Sequence, residues 1–135
     1  MLGTDLSNTH TTTQIRSPLA LTADGNTSPI DLRNCDGPVT FYVSLGAVTG
    51  TTPTLDITVQ GSINNATLDA NGAADTYAAV SGVTVSQLTD SDANTLTIVT
   101  VKSWSERYMR LNLDVGGDTP SFLLGVVATA QKAVL

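Results

Sequence analysis

The stretch "RYMRLNLDVGGDTPSF", residues 107–122, decides the fold. Met109, Leu111, Leu113 and Val115 alternate with Tyr108, Arg110, Asn112 and Asp114. A period of two separates an apolar from a polar face only in an extended strand. Arg107 shares the parity of Met109 but precedes the core residues, which places it at the strand end. Gly116-Gly117-Asp118 follows, with the residue types that accept the positive φ angles of a tight reversal. A second apolar run then opens at Phe122. The expected structure is a strand with one dry face, a hairpin at 116–118 and a returning strand.

The same alternation extends in both directions from this stretch. In "TFYVSL" (40–45), Phe41, Val43 and Leu45 share a face, and in "TLDITVQ" (54–60) Leu55, Ile57 and Val59 do. "VTVSQL" (83–88) sets Val83, Val85 and Gln87 against Thr84, Ser86 and Leu88. "TLTIVTV" (95–101) begins with Leu96 and Ile98 inward and changes phase through Val99 to Val101, which predicts a bulge. "SFLLGVVAT" (121–129) is apolar on both faces, as in a strand covered by neighbours. Turn signals recur at Asp24-Gly25, Asp36-Gly37-Pro38, Gly50-Thr51-Thr52-Pro53, Asn71-Gly72 and Ser81-Gly82. With two weaker strands near Pro18–Thr22 and Pro29–Arg33, the pattern predicts an all-β chain of about eight or nine short strands. The expected fold is a single-domain antiparallel β-sandwich or jelly-roll over residues 15–135. Residues 1–14, polar and rich in threonine, read as a flexible N-terminal arm. Segment 61–79, rich in Asn, Asp, Ala and Gly, reads as a long loop, and no internal repeat is visible.

Composition agrees. The chain has 22 threonines and 11 serines but only 13% charged residues, so hydroxyls solvate its surface and β-branched side chains favour strands. A net charge of −6 works against electrostatic capture of nucleic acid or anionic lipid. The single cysteine, Cys35, forbids an intrachain disulfide and a cysteine-based zinc site. The first residues lack the basic and apolar regions of a signal peptide, and the run Phe122–Ala128 is far shorter than the ~20 residues of a membrane span. These features predict a chain made in the cytoplasm, with neither membrane nor nucleic acid as partner.

Little in the sequence suits catalysis. The only histidine, His10, falls in the expected arm, away from any serine or cysteine set up as a nucleophile. "DSDAN" (90–94) starts like a calcium loop, but Thr95 stands where the turn glycine belongs and Val101 where the bidentate glutamate belongs. No catalytic, cofactor-binding or metal residues are assigned. "KSWSERYMR" (102–110) holds the one basic–aromatic cluster, Lys102, Trp104, Arg107, Tyr108 and Arg110. Such a cluster suits a protein contact, a packed strand end or a sugar ring.

From Asp31 onward, the order of "DL", "GPVTFYVSLGAVTGTTPTLDITVQGS", "YAAVSGVTVSQLT", "RYMRLNLDV" and "TPSFLLGVVA" resembles capsid-associated β-sandwich proteins of tailed bacteriophages. The resemblance covers roughly residues 20–130, and Tyr77 stands where such sequences often carry tryptophan. It implies a non-enzymatic virion protein without cofactors, a decoration or cement protein on the capsid surface. The implied partners are the major capsid protein and copies of the chain itself, as a trimer. Partner contacts then fall on Thr4, Asp5, Thr11, Thr12 and Thr13 of the arm and on Trp104, Arg107, Tyr108 and Arg110. The alternative is a virion module for carbohydrate or a host surface, with Trp104, Arg107 and Tyr108 as platform and loop 61–79 as wall.

Overall fold

A computed structural model describes residues 9–64 and 76–133. The described chain forms eight antiparallel strands: β1 (His10–Leu21), β2 (Gly25–Asn26), β3 (Ile30–Asp31), β4 (Cys35–Ser62), β5 (Ala78–Ala79), β6 (Leu88–Thr89), β7 (Leu96–Val101) and β8 (Tyr108–Lys132). The expected all-β fold of eight strands is what forms, but two of the strands are far longer than expected. β4 runs for 28 residues and β8 for 25, and they pair from Cys35↔Lys132 to Ser62↔Tyr108.

This long ribbon is folded in half. Its first half joins the start of β4 to the end of β8, with β1 beyond β8 and β7 beyond β4. Its second half joins the end of β4 to the start of β8, with β2 and β3 beyond β8 and β5 and β6 beyond β4. Early strands therefore pair with late ones and middle strands with each other, the nesting of a jelly-roll. Inward residues of both halves, among them Phe41, Val43, Leu45, Leu55, Leu111, Leu113, Phe122 and Leu124, meet in one buried cluster.

The expected hairpin at 116–118 does not exist, because β8 continues through it. Leu113 pairs with Ile57 and Phe122 with Val48, both on β4. The Gly50–Pro53 signal likewise lies inside β4. Both stretches are bends, and they lie against each other where the ribbon folds. Gly50-Thr51-Thr52-Pro53 and Gly117-Asp118-Thr119-Pro120 share a Gly-x-Thr-Pro pattern, a short repeat that the expectation of no internal repeat overlooks. Their backbones match: φ is 120° at Gly50 and 101° at Gly117, 48° at Thr52 and 47° at Thr119. A β-carbon on Gly117 would lie 2.6 Å from the Thr52 carbonyl oxygen, and one on Gly50 would lie 2.8 Å from that of Thr119. Only glycine lets the two backbones come so close.

Three further expectations change. His10–Gln14, assigned to the arm, belong to β1 and pair with β8, so the described chain shows no boundary at residue 14. β7 holds an unbroken register from Leu96↔Ser44 to Val101↔Val39, so it has no bulge. Its Val99 and Val101 point inward, and Leu96 and Ile98 outward. Of the expected strand at 83–88, only Leu88 is in a strand, and Val83 and Val85 pack on the core from irregular backbone.

Candidate partner-binding face

All of the basic–aromatic cluster but Lys102 is spent on contacts within the chain. Trp104 donates its indole N–H to the Gly37 carbonyl at 2.7 Å and packs half-buried against the core. Arg107 grips Asp31 through two parallel bonds, Nε to Oδ1 at 3.1 Å and Nη2 to Oδ2 at 3.0 Å, and its guanidinium lies 4.8 Å from the Tyr108 ring centre. Arg110 stacks 3.7 Å above the Tyr77 ring and donates Nε–H to Gln60 at 3.1 Å. Met109 turns into the core between them, so Tyr108 and Arg110 share the outward face, as the alternation indicates.

The Arg107 guanidinium hydrogen-bonded to Asp31 holds that carboxyl below its usual range. Its contribution to stability is therefore complete above the ordinary carboxylate pKa of about 4 and fades as pH falls through the lowered value. Asp31→Asn is expected to lower the melting temperature slightly at pH 7, with the difference shrinking as pH falls through the lowered value, by calorimetry across pH. The effect is small because both side chains are more than a third exposed.

Around this end, the outer face of the second half is polar and acidic. Asp114 faces Asp56 across the ladder, and Asp24 accepts the Val115 N–H at 2.7 Å. Asp56 receives Gln87 Nε2 at 2.9 Å and 3.1 Å. The charge of Asp24 first, then a hydrogen bond that the protonated Asp114 carboxyl donates to it, raises the Asp114 pKa. A raised carboxyl destabilises the fold once ionised, above its folded pKa, and that penalty disappears in acid. Asp114→Asn is accordingly expected to raise the melting temperature at pH 7, with the gain shrinking as pH falls toward 3.

The outer face of the first half differs. Reading across β1, β8, β4 and β7, one row is Gln14, Val127, Tyr42 and Ile98. The next is Thr12, Thr129, Thr40 and Thr100. Thr12 and Thr129 hydroxyls lie 2.8 Å apart, a hydrogen-bonded cross-strand pair. Tyr42 is 37% exposed and Leu96 and Ile98 are each 57% exposed, so the uncharged row is also apolar where it reaches β7. Beside it His10, Thr12, Thr40, Tyr42, Thr129 and Gln131 line a depression of about 440 Å³.

Of the residues expected to contact partners, Thr12 alone is in this row. Thr11 and Thr13 are its neighbours in β1, and Thr4 and Asp5 lie outside the described residues, as does most of the 61–79 loop. Tyr42, Val127, Leu96 and Ile98 were missed as contact candidates. The signal for Tyr42 is a ring on the polar side of a strand with a full inward set; Val127 lies in a run apolar on both faces, and Leu96 and Ile98, expected inward, face out. Cys35 is half-buried, and desolvation holds its thiol above the usual pKa, which disfavours the reactive thiolate.

Comparison with protein-family models finds no match, and comparison with curated proteins finds none either.

Proposed function

We propose that this chain is a non-enzymatic structural protein of a virion, a decoration protein that reinforces a phage capsid through many modest contacts. The carrying observation is the outer face of the first half, an uncharged surface of threonine and apolar side chains on a protein of net charge −6. An uncharged face suits packing against a protein shell, where single weak contacts gain strength by repetition. The partners are the capsid protein and neighbouring copies, and the resemblance adds the capsid surface as the place. The purified chain is expected to co-sediment saturably with phage capsid shells, and Tyr42→Glu to abolish that binding without unfolding. No co-sedimentation of the wild-type chain would overturn the proposal.

A second reading has one observation in its favour. The depression beside Tyr42 offers an aromatic ring ringed by hydroxyls, His10 and Gln131, a lining suited to a sugar. It displaces Trp104 as the platform, because that indole N–H is committed to Gly37. Glycan-array binding lost in Tyr42→Ala would favour it over shell packing.

A further inference from the structure

The first half of the ribbon has two outer strands, and they are finished differently. β1 carries Arg16 and Pro18 and two register shifts, each a device that discourages further pairing. β7, "LTIVTV", has no charge, no proline, no glycine and no bulge. A strand so finished pairs readily with another chain.

The backbone groups available on β7 can be named. The Leu45 N–H donates to the Thr95 carbonyl at 2.9 Å. Alternation in an antiparallel ladder then turns the groups of Thr97, Val99 and Val101 toward β4, and those of Leu96, Ile98 and Thr100 toward the open edge. Gly82–Ser86 border that edge across a groove of about 500 Å³ but make no backbone hydrogen bond to it among the described residues.

We infer that the β7 edge is a self-association site, pairing antiparallel with the β7 edge of a second copy about a two-fold axis at Ile98. Three features select a copy of this chain as occupant. Neither Leu96–Val101 nor the paired stretch Val39–Leu45 bears a charge, so two acidic molecules meet there without like-charge contact. The two-fold joins Val127–Tyr42–Ile98 to the same row of the second copy, with Ile98 against Ile98 and Leu96 against Thr100. It also sets Lys102, which makes no ion pair among the described residues, opposite Asn94 of the second copy and beside that copy's Asp90 and Asp92. The contact is isologous and closes as a dimer, with about six backbone hydrogen bonds exchanged at the seam.

This inference goes beyond the virion proposal and does not depend on it. The test is light scattering coupled to size exclusion, on the full chain at about 100 µM and below. The wild type is expected to be a dimer. Ile98→Lys places two ammonium groups face to face and is expected to raise the dissociation constant roughly a hundredfold or more. Thr100→Pro deletes an N–H that points to the open edge, so it is expected to give a monomer with unchanged circular dichroism. If either variant melts early, Lys102→Glu is the reserve: it weakens the dimer, and Asp90→Lys in the same chain restores it. A wild-type monomer, a dimer indifferent to these variants, or a trimer lost with them would overturn the two-fold pairing. Capsid co-sedimentation is read separately, so loss of shell binding with an intact dimer counts against the virion proposal alone.

Discussion

Gly117→Val is expected to cost about 3–5 kcal/mol, the sum of backbone strain and a steric clash. Gly117 sits at φ 101°, where a side chain is strained whatever the space around it. A β-carbon there also lies 2.6 Å from the Thr52 carbonyl oxygen and 2.9 Å from the Pro53 α-carbon. Those are backbone atoms of the opposite bend, so no rotamer change relieves the clash. Gly82→Val separates the two effects: φ is 80° but nothing lies within 4 Å of the added carbon. It is expected to cost only the strain, about 1 kcal/mol. For a domain of this size the Gly117 variant should melt about 10–15 °C lower. Equal melting of the two variants would mean that the bends do not touch.

Phe122→Ala is expected to cost about 3–5 kcal/mol in denaturant unfolding, with Phe122→Leu well under half of that. Phe122 is fully buried, paired with Leu21 of β1 on one side and Val48 of β4 on the other. It lies directly beyond the bend, where the ribbon folds and backbone cannot shift to close a void. Leu123, next in the chain but on the outer face and 42% exposed, is the control, and Leu123→Ala should change stability by less than about 1 kcal/mol. A Phe122→Ala loss no greater than that of Leu123→Ala would place the core elsewhere.

Much of the strand content was legible, because period-2 alternation is a local property. Phe41, Val43 and Leu45, and Met109, Leu111 and Leu113, are buried in the alternate positions the sequence marks. The basic–aromatic cluster shows where locality fails. Residues close in sequence suggested one patch, but Arg107 found Asp31, Arg110 found Gln60 and Trp104 found Gly37. Those partners are remote in the chain, so nothing within the cluster could announce them. The face that replaced it was masked for a related reason. β7 is apolar on both sides, and parity alone does not say whether Leu96 or Val99 faces the core.

The sequence by itself determined an antiparallel all-β chain, the inward set of its two principal strands, and the points where backbone conformation must leave the β region. What those points do depends on long-range pairing. Gly116-Gly117-Asp118 satisfies the torsional needs of a hairpin and of a bend equally well, since both require positive φ. The outcome depends on which strand receives the next residues. Phe122 pairs with Val48 instead of returning to Leu113, because β4 offers inward apolar partners on both sides of the bend, Leu55, Ile57 and Val59 to one half of β8 and Val43, Leu45 and Val48 to the other. The nested pairing and the open edge of β7 follow from that choice, which rests on contacts between segments 46 to 97 residues apart and so has no local signature.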